Sequence, residues 1–202
     1  RSYSVTGVQT CALPIYVSGK GVPAAIFMAV SRTLIRATGL KGNPAADCLR
    51  YVNNMLCLES VASMFVTVFY GILDLPNGML EYVNAGHNPP YLINNRGISK
   101  LPMTGGTILG CLEGFDYTSA DLALSPGDRL FLYTDGVTEA FNLAEEAYGD
   151  ERLETFLQQS MSVPIESVVR NSMDEVLAFA GEAPQSDDIT YLMLEYPGPK
   201  QM

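Results

Sequence analysis

Residues 64–74 read MFVTVFYGILD, and residues 75–85 continue as LPNGMLEYVNA. The first run is β-branched and aromatic, with apolar side chains at odd and even positions alike, which is the pattern of a strand covered on both faces. Pro76-Asn77-Gly78 supplies a turn, and a partner strand is expected around Leu80–Asn84. A hairpin at this place makes the pairing antiparallel. Upstream, residues 22–38 carry Phe27, Val30, Leu34 and Ile35 at the spacing of one helical face, with Pro23 in the first turn and Gly39 as the stop. Asn43-Pro44 reads as N-cap and first helical position of a second helix, with Cys48, Leu49, Val52, Met55 and Leu56 inward. Downstream, further strands are expected at Tyr91–Asn94, closed by a turn at Asn95–Gly97, and at Arg129–Asp135 after the Pro126-Gly127-Asp128 turn. Helices follow at Asp150–Gln159 and Pro164–Ala180, the latter with Ile165, Val168, Val169, Met173, Val176 and Leu177 on one side. A last strand is expected at Ile189–Glu195. Two helices, a run of strands, two helices and a strand are a segregated order. It predicts an α+β fold with antiparallel sheets, not alternating βαβ units, and one domain with no internal repeat.

Composition narrows the function. The chain has 202 residues, of which 48% are hydrophobic and 17% charged, well below the usual charged fraction of about 25%, so a disordered or charged low-complexity chain is excluded. Twelve basic against 22 acidic residues give a net charge of −10, which argues against a surface that tracks nucleic-acid phosphates. The longest apolar run, Val22–Val30, is far shorter than the ~20 residues of a membrane span, and a cytoplasmic location is expected. Four cysteines, Cys11, Cys48, Cys57 and Cys111, occur without a CxxC pair or a nearby histidine, which points to reduced thiols and away from zinc.

Few side chains are candidates for chemistry. His87 is the one histidine, and without a GxSxG elbow it has no nucleophilic serine to serve; its expected role is to hold the AGHNPP loop. Gly19-Lys20-Gly21-Val22-Pro23-Ala24 has the spacing of a dinucleotide fingerprint, but a second helix follows where a second strand should end in a ribose-binding acid. Asp47, at about the right distance, belongs to that helix, and a tight glycine turn is the simpler reading. The carboxylates say more. Asp135 is expected at the end of an apolar strand, with Gly136 releasing the chain into a loop, and Asp187-Asp188 precede the last strand. A carboxylate at the mouth of a buried strand is costly unless it is paired or binds a cation, and several Asp oxygens suit Mg²⁺ or Mn²⁺. Asp-Gly turns and pre-strand aspartates are also ordinary loop residues, so the residues alone leave both readings open.

Five strings in one order carry a resemblance: VSGKGVPAAIFMA (17–29), MFVTVFYGILD (64–74), YVNAGHNPPYL (82–92), PGDRLFLYTDGVTEAFN (126–142) and DDITYLML (187–194). The set resembles the SpoIIE/RsbU-like branch of the PPM-type metal-dependent protein serine/threonine phosphatases, from about Val17 to Glu195. The resemblance implies a sandwich of two antiparallel β-sheets flanked by helices, two Mn²⁺ or Mg²⁺ ions, and hydrolysis of a phosphoserine or phosphothreonine protein by a metal-activated water. It further implies a phosphorylated anti-sigma-factor antagonist as substrate and partner, and an upstream sensor domain in the full-length parent. Carried over position by position, the metal ligands are Asp135 and Asp187, with Gly136, Asp188 and the backbone of Val17 as weaker candidates. Ser18, Lys20 and His87 support the loops around them. The family's metal-bridging Asp falls on Tyr16, and a further acidic ligand belongs upstream of it.

Residues 5–15, VTGVQTCALPI, resemble the translation of a sequencing adaptor. Its last base would turn an Asp codon into the Tyr codon of position 16. Residues 1–15 are therefore expected to be a non-native scar, residues 16–196 a phosphatase domain lacking its first strands, and residues 197–202 a tail. On this reading the activity of the chain is impaired by loss of the bridging carboxylate. The alternative is a catalytically silent module of the same fold that binds a partner protein.

Overall fold

The computed structural model describes residues 8–19, 21–59 and 64–199. They form two compact units whose segments interleave along the sequence. The first contains residues up to His87 with Pro102–Pro126 and the C-terminal residues, and the second contains Asn88–Leu101 with Gly127–Tyr196.

The first unit is a four-stranded antiparallel sheet in the order β1-β2-β3-β6, formed by β1 (Val8–Val17), β2 (Val66–Asp74), β3 (Met79–Ala85) and β6 (Ala120–Ala123), with helices α1 (Val22–Gly39) and α2 (Ala45–Glu59). The β2–β3 hairpin forms as expected, running from Asp74↔Met79 to Val68↔Ala85. Its turn is held by Asn77, whose Nδ2 donates to Asp74 Oδ2 at 2.8 Å and whose Oδ1 accepts the Met79 amide at 2.9 Å. Strand β2 is buried on both faces over most of its length. The core joins Ile35 of α1 and Leu49, Val52 and Leu56 of α2 to Val66, Val68, Tyr70 and Val83 of the sheet.

Helix α1 departs from its expected face. Val30 is 38% exposed, whereas Ser31 and Thr38 are buried. Their hydroxyls can afford burial because each donates to the carbonyl four residues back, Phe27 at 2.7 Å and Leu34 at 2.8 Å. The start of α2 is also capped from a distance. Glu81 of β3 accepts the Ala45 amide at 3.1 Å.

The second unit is an antiparallel sheet in the order β5-β4-β7-β8, formed by β4 (Tyr91–Asn94), β5 (Gly97–Lys100), β7 (Arg129–Tyr133) and β8 (Tyr191–Glu195), with α3 (Asp135–Thr138), α4 (Gly149–Gln159) and α5 (Ile165–Ala180). Tyr91, Ile93, Phe131 and Tyr133 of the sheet pack with Leu153 and Leu157 of α4 and Val168 and Val176 of α5. Leu177, expected inward, is 54% exposed, and buried Ser172 takes a place on the inner face. Two antiparallel four-stranded sheets with their helices confirm the α+β class. Antiparallel pairing throughout leaves no parallel βαβ unit among the described residues, which removes the dinucleotide reading.

Candidate functional site

In the second unit, buried strand β7 ends at Tyr133, and the next three residues make the junction on which the carboxylates lie. Thr134 donates its amide to the Thr190 carbonyl at 3.2 Å. Its hydroxyl accepts the Thr190 amide at 2.9 Å and donates to the Asp188 carbonyl at 2.8 Å. One buried threonine thus extends the β7–β8 pairing past the strand ends and fastens residues 188–190 to residue 134. Sequence reasoning quoted this residue inside a motif and gave it no role. The available signal was a hydroxyl between an apolar strand and an Asp-Gly pair.

Asp135 is half-buried and opens α3, which corrects the expectation that it ends the strand. Its carbonyl accepts the Glu139 amide at 2.8 Å and the Thr138 hydroxyl at 3.2 Å. Gly136 does not release the chain into a loop; it lies inside α3 and is buried. A Cβ there would stand 2.6 Å from the Asp188 carbonyl oxygen and 3.2 Å from the Asp187 carbonyl carbon. Only a residue without a side chain lets the two backbones meet. The segments carrying Asp135 and Asp187, 52 positions apart in sequence, are therefore in contact.

The carboxylates are held alike. Asp135 Oδ1 accepts the Gly136 amide at 3.0 Å, and Asp187 Oδ1 accepts the Asp188 amide at 2.7 Å. The Oδ2 of each has no hydrogen bond among the described residues. Asp187 is half-buried and Asp188 exposed. The loop before them is tied down by Gln185, which donates to the Asp187 carbonyl at 2.7 Å, and by Ser186, which donates to the Glu139 carbonyl at 2.8 Å. A cavity of about 50 Å³ beside them is bounded by Gly136, Phe141, Leu177, Ser186 and Ile189 among others.

The remaining candidates lie in the first unit. Tyr16 pairs with Thr67 and Val17 with Val66 at the end of β1. Ser18 continues the pairing, its amide donating to the Phe65 carbonyl at 3.0 Å and its Oγ accepting the Phe65 amide at 2.9 Å. Buried His87 shares a 3.0 Å hydrogen bond between Nδ1 and the Thr67 hydroxyl. Its loop is clamped by Asn84, whose Oδ1 accepts the His87 amide and whose Nδ2 donates to the His87 carbonyl, both at 2.8 Å. Thr67 therefore links His87 to the strand position opposite Tyr16. Lys20 lies outside the described residues.

Tested against a two-metal centre, these residues fall short. Among the described residues no three His, Cys, Asp or Glu side chains come together as a cation cluster. Position 16 is a tyrosine, whose phenol does not add to the carboxylates. Two hard cations in hydrolytic sites are normally bridged and flanked by more carboxylates than Asp135 and Asp187 provide.

The profile of the family described as "Stage II sporulation protein E (SpoIIE)" matches residues 16–197. Protein IcfG of Synechocystis sp. is 31% identical over 87% of this chain and 32% of its own length. The phosphoserine phosphatase RsbU of Bacillus subtilis is 27% identical over 88% of this chain and 53% of its own. The chain thus spans a third to a half of these relatives. In fold it resembles the SiaA-PP2C domain of Pseudomonas aeruginosa, with a TM-score of 0.79 at 18% identity over 93% of this chain and 80% of that one. It also resembles the catalytic domain of the serine threonine protein phosphatase PstP solved with two manganese ions, with a TM-score of 0.62 at 13% identity over 93% of this chain and 96% of that one. Among the described residues no helix is long and apolar enough to cross a membrane. With nearly its whole length matched, the chain belongs to the Stage II sporulation protein E (SpoIIE) family.

Proposed function

We propose that the chain is the phosphatase portion of a sigma-factor-regulating protein that removes phosphate from a phosphoserine or phosphothreonine of a small anti-sigma-factor antagonist. The family match over residues 16–197 carries this reading, and the name of RsbU, a phosphoserine phosphatase, supports the substrate class. With a carboxylate at position 16 and the further acid upstream, Asp135 and Asp187 would help to hold Mn²⁺ or Mg²⁺, whose chemistry is to activate a water and neutralise phosphoryl oxygens. The chain's own part is to present Asp135 and Asp187. Thr134 and Gly136 hold their backbones together, and each Oδ1 is spent on a neighbouring amide so that the carboxylates keep a fixed orientation. No nucleophilic serine or cysteine is required of the protein.

Tyr16 makes the chain as written a poor catalyst on this reading. Purified 1–202 with excess Mn²⁺ is expected to hydrolyse p-nitrophenyl phosphate or a phosphoserine protein only slowly. Tyr16→Asp together with an upstream strand that restores the further acidic ligand should recover Mn²⁺-dependent turnover, and Tyr16→Asp alone should recover much less, because a two-metal centre would still lack that acid. Asp135→Ala or Asp187→Ala should abolish that gain, and Asp188→Ala should reduce it less. A fast Mn²⁺-dependent rate in the unaltered chain would refute the assignment of position 16. Tyr16 itself favours the second reading, a silent module that binds a partner. A folded variant with both Tyr16→Asp and the restored upstream strand that shows no Mn²⁺ binding by calorimetry would decide for that module.

A further inference from the structure

The last two turns of α2 hold a loop that contains one of the exposed thiols. Buried Asn53 donates from Nδ2 to the Leu112 carbonyl at 2.7 Å, and its Oδ1 accepts the Gly110 amide at 2.9 Å. Asn54 Oδ1 accepts the Gly114 amide at 2.8 Å. A Cβ on Gly110 would lie 3.6 Å from Leu56 Cβ. The residues on both sides of Cys111 are therefore fastened to the helix turn that carries Cys57. Cys57 Sγ in turn lies 3.8 Å from Asn53 Oδ1, the same oxygen that receives the Gly110 amide. Cys111 is exposed and Cys57 partly covered, and both are free thiols. Buried Tyr117 completes the group; its hydroxyl has no hydrogen-bond partner among the described residues.

We infer that Cys57 and Cys111 are a reversible oxidation site, which closes to an intramolecular disulfide on exposure to a hydroperoxide. Exposed Cys111 meets the oxidant first. Its thiolate attacks the peroxide O–O bond, becomes a sulfenic acid and releases an alkoxide, or hydroxide when the oxidant is hydrogen peroxide. Cys57 then attacks that sulfur as the resolving thiol, loses its proton and expels water. In sum two thiols and one hydroperoxide give one disulfide, water and the corresponding alcohol, or a second water when the oxidant is hydrogen peroxide. The order of events agrees with the electrostatics. Burial, then the charges of Glu113 and Cys111, push the Cys57 thiol above its ordinary range, so it is the weaker first nucleophile. The Tyr117 hydroxyl is pushed upward by burial and then by the charges of Cys57 and Cys111.

The bond would fasten α2 to the residue pair next to Leu109. Leu109 exchanges both backbone hydrogen bonds with Val66, at 2.8 and 3.0 Å, and Val66 is the partner of Val17. Oxidation would thus brace the strand end that carries Val17 and Ser18. The loop closed between positions 57 and 111 is long, which favours a sizeable stabilisation.

The test treats purified, reduced 1–202 at low concentration with hydrogen peroxide or tert-butyl hydroperoxide. The expected product is a monomer about 2 Da lighter, from the loss of two hydrogens, giving one cross-linked Cys57–Cys111 peptide in a non-reducing digest, reversible with dithiothreitol. Its Tm should rise by roughly 5 °C or more. Cys111→Ser should leave Cys57 unlinked, and Cys57→Ser should trap Cys111 as a dimedone adduct. If wild-type Cys111 instead persists as a sulfenic acid or mixed disulfide, or links to Cys11, Cys48 or a second molecule, the inference is wrong. The mapping is done on the wild-type chain, so it holds even if a variant misfolds.

Discussion

The junction at Thr134–Gly136 shows how much one atom group can decide. Adding a methyl at Gly136 sets a Cβ 2.6 Å from a backbone carbonyl oxygen, and no flexible side chain is available to move aside. Gly136→Ala should therefore cost about 1–3 kcal/mol, the usual range for overpacking, read as a fall in urea midpoint with an unchanged m-value. Thr134→Val removes one hydroxyl that both accepts from Thr190 and donates to Asp188. It leaves the Thr190 amide and the Asp188 carbonyl, in part-buried hydrogen bonds, short of that partner, at about 0.5–1.5 kcal/mol. Both substitutions loosen the same contact, so the double variant should lose less than the two single losses combined. Simple additivity would mean that the glycine contact and the threonine bridge are independent. Asp135 and Asp187 were legible in the sequence as carboxylates at the ends of apolar runs. The role of Gly136 was not, because close approach of a chain 52 positions away leaves no mark in the local pattern.

At the level of elements, the sequence was most informative where burial is two-sided or strongly periodic. The hairpin β2–β3, both long N-terminal helices and strands β4 and β7 stand where the hydrophobic pattern put them, to within a few residues. Strands β5 and β6 escaped it. Each has four residues and lies at the end of its sheet's strand order, so half of its surface is solvated and it carries little apolar signal. The strand β1, which includes residues read as an adaptor translation, also occupies an edge. Helix starts were read from local capping residues, yet the start of α2 depends on Glu81, 36 positions later. Glu81→Ala should destabilise by about 0.5–2 kcal/mol, as loss of a helix N-terminal acceptor does, and should speed amide exchange at Ala45 and its neighbours. Glu81→Gln keeps an acceptor oxygen and should recover much of the loss. If Glu81→Ala leaves exchange at the start of α2 unchanged, the long-range cap has no energetic weight.

Across the whole molecule, tyrosine is the residue that ties stability to pH. Burial, as the largest cause in each case, pushes the phenols of Tyr82, Tyr91, Tyr117, Tyr133, Tyr148 and Tyr191 upward, Tyr148 to about 12. In the second unit the phenols are also surrounded by acids. Tyr91 donates to Glu154 at 3.0 Å and to Asp150 at 3.3 Å, and Tyr133 donates to the same Asp150 oxygen at 3.3 Å. A phenolate in either place would face a carboxylate across a hydrogen bond that has lost its proton. An ordinary tyrosine titrates near 10, so between pH 10 and 12 the folded state retains protons that the unfolded chain releases. The unfolded state then binds fewer protons, and stability must fall as pH rises. Below pH 10 the contribution is complete; above it, each tyrosine held protonated removes about 1.4 kcal/mol per pH unit. Urea unfolding measured at steps from pH 8 to 11.5 should show a flat region and then a steep decline. The part of the tyrosinate absorbance at 295 nm that Tyr91→Phe or Tyr133→Phe removes should rise together with loss of far-UV circular dichroism, not before it. Tyr91→Phe and Tyr133→Phe should each make the decline shallower, because a phenyl ring has no proton to lose. If the signal assigned to Tyr91 or Tyr133 by these variants appears near pH 10 while circular dichroism is still native, these phenols are not held by the fold.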